Sequence, residues 1–110
     1  DKSNLQEAKN YYKTALQKDP DNANVKFNLA LILAEEGKTE QAKTYYYDVI
    51  RTNPEFSYSY YALGIIQEKE KDYQEAIDNY KTFISLNPND ENAQNIKIRI
   101  ERLQKITGKK

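Results

Sequence analysis

The stretch Tyr60-Tyr-Ala-Leu-Gly64 opens the segment that decides the fold of this 110-residue chain. Further markers follow it at fixed distances, namely Tyr73, Ala76, Tyr80 and Pro88. Most of this frame recurs 34 residues earlier as Leu29, Ala30, Ala42, Tyr46 and Pro54, and its last part recurs again as Ala8, Tyr12 and Pro20. A fixed period of this size indicates a solenoid, in which one supersecondary unit repeats and each copy stacks on its neighbours.

Apolar residues between these markers recur every three or four positions, which is the spacing of an amphipathic helix. This spacing predicts six helices, at 3–18, 21–36, 39–51, 56–69, 73–85 and 91–107. Gly37 is expected to end the second helix, because glycine takes the left-handed C′ conformation at no steric cost. Asp72 is expected to cap the fifth helix by accepting hydrogen bonds from its first amides. Gly64 is expected to let two helices approach closely, with Leu63 and Tyr80 in the core.

The repeated residues resemble the signature of the tetratricopeptide repeat, in which an aromatic residue is followed by leucine, a small residue, alanine, a second aromatic residue and proline. One unit carries the signature at Tyr60, Leu63, Gly64, Ala76, Tyr80 and Pro88. The preceding unit carries most of it at Leu29, Ala30, Ala42, Tyr46 and Pro54. It departs from the pattern at Lys26, where a large aromatic residue is usual, and at Thr39, which takes the place of Tyr73.

This resemblance implies an all-α fold of about six antiparallel helices, stacked as helical hairpins in a right-handed superhelix. It makes the chain one domain, 1–110, composed of the second helix of a truncated first repeat (3–20), two complete repeats (23–56 and 57–90) and a C-terminal capping helix (91–107). The last helix is predicted to be a cap because Lys97 and Glu101 stand where an internal repeat needs apolar residues.

The composition argues against catalysis and against a metal site. The chain contains no histidine and no cysteine, so the commonest general base, the thiol nucleophile and the usual transition-metal ligands are missing. The Asp- and Asn-rich turns at 19–22 and 87–90 lack the glycine and the glutamate that a calcium loop requires. We therefore predict that the chain is not an enzyme and uses no cofactor.

Neither nucleic acid nor a membrane is a predicted ligand. Basic and acidic residues number 17 each, so no overall field attracts a polyanion. The longest apolar run, 29–34, is far shorter than a membrane span. Basic residues do concentrate in 91–110, where they are interpreted as the solubilising face of the cap rather than as a phosphate-binding stripe.

The resemblance also implies where a partner would bind. In this family the first helix of each unit lines a concave surface that binds peptides or partner helices. Carried over to this chain, that surface comprises Asn24, Phe27, Asn28, Leu31, Glu35, Tyr58, Tyr61, Ile65, Glu68, Lys69, Asn92, Asn95 and Arg99. Several family members hold the acidic C-terminal tails of chaperones in a clamp of lysine, arginine and asparagine residues. Only Asn28 of that clamp is present, with Tyr58 and Ala62 at cationic places.

Two functions follow from these residues. The first is a non-enzymatic scaffold for protein–protein interaction, which binds a peptide or partner helix in an aromatic groove. Aromatic side chains would supply apolar contact, asparagines would bond the partner's backbone, and Lys69 and Arg99 would pair with carboxylates. The alternative is a structural or self-assembly module whose groove has no ligand. For that alternative, Leu5 and Tyr12 of the first helix are expected to be partly open to water and to support a homodimer.

Overall fold

The computed structural model describes residues 2–108, so Asp1, Lys109 and Lys110 lie outside the described residues. The described chain forms six α-helices: α1 (Lys2–Lys18), α2 (Ala23–Glu35), α3 (Thr39–Thr52), α4 (Ser57–Lys69), α5 (Tyr73–Leu86) and α6 (Ala93–Thr107). No β-strand occurs in residues 2–108. The predicted all-α, helical-hairpin fold is confirmed, and every helix boundary lies within two residues of its predicted place.

The chain divides into two compact units, Asp1–Pro54 and Glu55–Lys110. In the first unit α1 packs against α2, and α2 packs against α3. Because α2 has a helix on two sides, its apolar residues cover more than one face. The side chains that this unit buries most completely are Leu29, Ala30, Leu33, Ala42, Tyr46 and Val49.

In the second unit α4 packs against α5, and α5 packs against α6. Its core consists of Ala76, Ile77, Tyr80, Phe83, Ile96, Ile100 and Leu103. Leu63 is also fully buried, as predicted. The apolar stripe of α6 faces this core, whereas Lys97 and Glu101 lie on the exposed side of the same helix. The predicted amphipathic pattern of the last helix is confirmed.

A close approach of α4 and α5 explains the glycine in the middle of α4. A Cβ atom added to Gly64 would lie 2.4 Å from Cε1 and 2.6 Å from Cδ1 of the Tyr80 ring. Carbon atoms make favourable contact at about 3.5–4.0 Å, so the ring occupies the space that any other side chain would need. The predicted packing role of Gly64 is confirmed, and its neighbour is the fully buried Tyr80.

Both helical hairpins turn through a left-handed residue after their first helix. After α2, Gly37 has φ +81°, and the amide of Lys38 donates to the carbonyl of Leu33 at 2.8 Å. After α4, Lys71 has φ 66°, and the amide of Asp72 donates to the carbonyl of Gln67 at 2.8 Å. These are Schellman motifs, which satisfy carbonyl groups at a helix end. The prediction for Gly37 is confirmed.

The prediction that the Asp72 carboxylate caps α5 is wrong. Asp72 stands at the N-cap position, but its side chain makes no capping hydrogen bond and is exposed. The Schellman turn holds its backbone through the bond to Gln67. At the start of α2, by contrast, the side chain of Asn22 accepts a hydrogen bond from the amide of Val25 at 3.0 Å. Asn22 thereby fixes the start of α2 at Ala23, two residues after its predicted start.

Candidate functional site

Aromatic side chains gather on one side of α4 in the second unit. The ring centroids of Tyr58 and Tyr61 lie 5.4 Å and 5.1 Å from that of the buried Phe83 of α5. Tyr61 also meets Tyr80 edge to face, with 6.4 Å between the ring centroids. Tyr58 keeps 41% of its surface exposed, whereas Tyr61 is half-buried. The cluster therefore presents rigid aromatic surface that is supported from behind by the core.

The hydroxyl of Tyr58 is fixed by the turn that precedes α6. It donates a hydrogen bond to Oδ2 of Asp90, and the other carboxylate oxygen accepts from the backbone amide of Asn92 at 2.9 Å. The Tyr58 hydrogen bond lowers the pKa of Asp90, and the amide of Asn92 lowers it further. The same bond to Asp90 raises the pKa of Tyr58. The hydroxyl of Tyr58 is therefore held in place in its neutral form, and part of the side chain remains exposed to solvent.

A cleft of about 380 Å³ lies beside this cluster, within the second unit. Its lining residues come from α4, from α6 and from the turn before α6: Tyr61, Asn92, Asn95, Ile96, Ile98, Arg99 and Arg102. The sequence analysis predicted thirteen residues on a partner-binding surface. One cleft brings together four of them, Tyr61, Asn92, Asn95 and Arg99.

The basic end of this cleft is organised by a single carboxylate. Oε1 of Glu68 lies 3.4 Å from Nε of Arg99, and Oε2 lies 3.9 Å from a terminal nitrogen of Arg102. Oε1 also accepts a hydrogen bond from the Tyr80 hydroxyl at 2.9 Å. Burial raises the pKa of Tyr80, and the bond to Glu68 raises it further. Glu68 and Arg99 were both predicted to face a partner, and the structure shows that they also bind each other.

The remaining predicted residues of α4 differ in their exposure. Ile65 is half-buried and packs against the core of the second unit, so only part of its surface is available to a partner. Lys69 is exposed in the last turn of α4. Both lie on the helix that carries Tyr58 and Tyr61.

The predicted residues of the first unit lie along α2. Asn24 and Glu35 are exposed, and Phe27 and Asn28 are half-buried. Leu31 leaves 45% of its surface exposed, and the ring centroid of Phe27 lies 5.6 Å from that of Tyr46. Glu35 lines a separate cleft of about 480 Å³ together with Leu5, Gln6, Glu36 and Lys38.

Sequence reasoning missed three residues of the second unit's cleft and the carboxylate beside it. Arg102 and Ile98 line the cleft with Arg99, and Asp90 holds Tyr58 and Asn92. Arg102 was recognisable, since it stands three residues after Arg99 and therefore on the same face of a helix. Ile96 belongs to the core of the second unit and is almost fully buried, so little of its surface is available to a ligand. Asp90 had no comparable signal, because the pattern does not indicate which turn residue meets Tyr58.

Residues 2–108 contain no cluster of three or more acidic residues arranged to hold a metal ion. Among the helices of that part of the chain, none has the length and apolar character needed to cross a membrane.

Two family profiles match the chain, and both describe the tetratricopeptide repeat. One covers residues 1–64 and the other covers residues 57–90. The chain therefore belongs to the tetratricopeptide repeat family, whose helical repeats serve in protein–protein interaction. A comparison with curated proteins gave no match.

Solved structures share this fold. The TPR domain of Arabidopsis OM64 has a TM-score of 0.80 at 21% identity, over 91% of this chain and 83% of that domain. The first TPR of Spaghetti (RPAP3), bound to the HSP90 peptide SRMEEVD, has a TM-score of 0.82 at 20% identity, over 97% and 85% of the two chains. The TPR2B domain of yeast Sti1, in a pHsp70 complex, has a TM-score of 0.80 at 20% identity, over 94% and 86%.

Proposed function

We propose that the chain is a non-enzymatic scaffold that binds an extended peptide or a partner helix through the first helices of its repeats. The repeats are the two complete units 23–56 and 57–90, with 3–20 as the second helix of a partial repeat and 91–107 as the cap. The observation that carries the proposal is the cleft of about 380 Å³ in the second unit, where aromatic, amide and guanidinium groups converge. Such convergence is typical of a recognition site.

Tyr58 and Tyr61 are the proposed anchors of the ligand. Tyrosine is enriched at energetic hot spots, because a large ring with few rotatable bonds loses little entropy when it is covered. Here the core supports both rings, and the bond to Asp90 also fixes Tyr58. Covering the exposed 41% of Tyr58 removes apolar surface from water without reorganising the protein.

Asparagine side chains supply polar contacts next to these anchors. Asn95 is exposed at the cleft and offers both a donor and an acceptor to a peptide backbone. The first unit offers a comparable set on α2, where Asn24 and Asn28 accompany Phe27 and the exposed Leu31. We propose that this face also contacts the partner, and the variant Leu31→Ala tests its contribution.

Two of the structural neighbours were solved with chaperone peptides, an HSP90 peptide on the first TPR of Spaghetti and pHsp70 on TPR2B of Sti1. They support peptide binding as the function of this fold. The clamp for acidic C-terminal tails is not reproduced here, since Tyr58 and Ala62 stand at its cationic places. We therefore propose a partner that contacts aromatic surface, not one held by that clamp.

Affinity capture from the native cell extract tests the proposal. The wild-type chain is compared with the double variant Tyr58→Ala/Tyr61→Ala and with a variant of α2, Leu31→Ala. The matched control is Tyr47→Ala, which removes a tyrosine that is 48% exposed on α3, a second helix of a hairpin. Loss of one specific protein in the double variant, but not in the control, supports the proposal. Equal capture by all four proteins contradicts it.

The alternative function, self-association, is favoured by one observation on α1. Tyr11 leaves 63% of its surface exposed, and Tyr12 is only half-buried, whereas Tyr46 and Tyr80, which share its place in the repeat, are 1% and 0% exposed. We propose that a second copy covers this face, with Leu5 and Tyr12 at the contact. Sedimentation across a concentration series tests the pairing: a dimer that Tyr11→Ser/Tyr12→Ser abolishes supports it, and a monomer up to millimolar concentration rejects it.

A further inference from the structure

We propose that the cleft of the second unit selects a peptide with an acidic side chain, aspartate or glutamate, and that Arg99 and Arg102 bind this carboxylate. The inference rests on the proposed function, because it names the chemistry of the ligand at the same site. It adds two specificity-determining residues on α6 and assigns Glu68 the role of an internal competitor.

The charge balance of the cleft is the first reason. The single carboxylate of Glu68 forms ion pairs with two guanidinium groups, that of Arg99 at 3.4 Å and that of Arg102 at 3.9 Å. One of its oxygens also accepts the Tyr80 hydroxyl. Arginine presents five N–H donors in a planar fork, so a single shared carboxylate leaves donors and one positive charge unmatched. A second carboxylate is the group that fits this arrangement.

Accessibility is the second reason. The side chains of Arg99 and Arg102 are 36% and 59% exposed, whereas that of Glu68 is 24% exposed. The internal carboxylate therefore lies deeper than the guanidinium groups that it pairs with. An approaching ligand therefore meets the positive groups first, on the exposed side of α6.

Acidic and basic groups lie at different ends of the cleft along α6, and this arrangement orients the ligand. Asp90 lies at the N-terminal end of the helix, where it accepts from Asn92 and Tyr58, and the arginines lie two to three turns later. From Asn92 to Arg102 the helix advances about 15 Å, which an extended peptide spans with about four or five residues. The ligand's acidic side chain belongs at the Arg99 and Arg102 end. Ile98, which is 52% exposed, offers apolar contact beside it.

Glu68 weakens the binding of an acidic ligand because it occupies the donors that the ligand needs. Glu68→Gln removes this negative charge, yet a glutamine carbonyl still accepts the hydroxyl of Tyr80. The variant is therefore expected to keep the fold and to bind an acidic peptide more tightly. If Glu68 has only a structural role, Glu68→Gln should bind the acidic peptide no more tightly than the wild type, since the loss of a stabilising contact does not improve a ligand's affinity.

The experiment is an NMR titration of the 15N-labelled chain that follows the Nε–H signals of Arg99 and Arg102 and the amides of α6. The probes are two synthetic heptapeptides, both acetylated and amidated, with one central aspartate or asparagine between alanine and leucine. A third probe carries asparagine at the centre and a free C-terminal carboxylate. The variants are Glu68→Gln and Arg99→Gln/Arg102→Gln. The matched control Lys97→Gln also removes a positive charge from α6, at an exposed residue outside the cleft.

The aspartate peptide is expected to shift the Arg99 signal and to bind about three- to tenfold more tightly than its asparagine analogue, as one partly exposed charge-assisted contact allows. Arg99→Gln/Arg102→Gln should abolish this preference, Glu68→Gln should increase it, and Lys97→Gln should leave it unchanged. Added salt should reduce it, because exposed charges are screened.

Equal binding of the two amidated peptides overturns the inference, and so does a preference for the free C-terminal carboxylate over the aspartate side chain. No shift at α6 with any probe also overturns it. None of these results decides the proposed function, which is judged by the dependence of partner capture on Tyr58 and Tyr61. If partner capture is lost in Tyr58→Ala/Tyr61→Ala but is unchanged in Arg99→Gln/Arg102→Gln, the scaffold function stands and the selection of an acidic side chain is rejected.

Discussion

At the scale of single residues, the contact between Gly64 and Tyr80 determines how closely α4 and α5 pack. The ring of Tyr80 lies where a Cβ of residue 64 would be, and Tyr80 is fully buried. The glycine costs about 1 kcal/mol of helix propensity relative to alanine. The chain tolerates this cost because the tyrosine ring fills the position.

Gly64→Leu is expected to destabilise the protein by about 1–3 kcal/mol, since overpacking outweighs the gain in helix propensity. Urea denaturation followed by circular dichroism measures the change. In a Tyr80→Leu background the same substitution should cost less, because the smaller side chain leaves room. An equal cost in both backgrounds would show that the ring contact is not the cause.

The left-handed position after each first helix offers a second test. Gly37 occupies it without strain, whereas Lys71 carries a Cβ at φ 66°. Lys71→Gly is therefore expected to raise the free energy of unfolding by about 0.5–1 kcal/mol. The substitution relieves the strain of the folded state, and the greater conformational freedom of glycine in the unfolded chain offsets part of this gain. Gly37→Lys should lower it. A loss of stability in Lys71→Gly would contradict this prediction.

A third residue-scale prediction concerns Ser59 of α4. The side chain is fully buried, and within residues 2–108 its hydroxyl has no hydrogen-bond partner. Ser59→Ala is expected to stabilise the protein by about 1 kcal/mol, because a buried unsatisfied polar group is removed. Ser57→Ala is the matched control. Its hydroxyl accepts a bond from Asn87 at 2.7 Å, so that variant should be less stable, and an equal response of the two serines would refute the argument.

At the scale of elements, α1 is held to the first unit partly by a half-buried ion pair. Lys9 is only 5% exposed, and its ammonium group lies 3.0 Å and 3.1 Å from the carboxylate oxygens of Glu36 at the end of α2. Lys38 approaches the same carboxylate at 3.8 Å. The hydrogen bond from Lys9 lowers the pKa of Glu36 below its ordinary value of 4.5.

This lowered pKa predicts how stability depends on pH. The folded state favours ionised Glu36, so the stabilisation is complete above pH 4.5, the ordinary pKa, and is lost as the pH falls through the lowered value. The protection factors of the α1 amides, which correct for the slower intrinsic exchange in acid, should fall over that acidic range. In Glu36→Gln this pH dependence should disappear. An α1 that opens equally in both proteins would show that other groups are responsible.

The elements also show how far sequence reasoning reaches. The repeat frame predicted Leu63, Gly64 and Tyr80 as core, because the frame records which face of each helix is apolar. It did not predict that Lys9 meets Glu36, 27 residues away, or that Tyr58 meets Asp90, 32 residues away. Polar pairs between helices depend on the rotation and exact end of each helix, which an apolar pattern does not specify.

The same limit applies to the candidate site. The resemblance placed Tyr61, Asn92, Asn95 and Arg99 on a common surface, and in the structure these residues line one cleft. It did not anticipate that Glu68 would bind Arg99, because family position indicates which residues face a groove but not which of them bind one another. In the proposal above, Arg99 and Arg102 give the cleft its preference for an acidic ligand, and the internal pairing with Glu68 weakens that preference.

At the scale of the whole molecule, the central claim is that this member of the tetratricopeptide repeat family binds its partner on the aromatic face of α4. The repeat frame of the sequence forms helical hairpins, and in the second hairpin Phe83 packs against both Tyr58 and Tyr61 while Asp90 binds the hydroxyl of Tyr58. The claim requires that these rings supply a large share of the binding free energy.

Isothermal titration calorimetry of the captured partner with the wild-type chain and with Tyr58→Ala/Tyr61→Ala tests this claim most directly. We predict at least about a tenfold loss of affinity, as expected when interface hot spots are truncated, and an unchanged affinity for Tyr47→Ala. Circular dichroism establishes that both variants are folded. An affinity of the double variant equal to that of the wild type would contradict the claim.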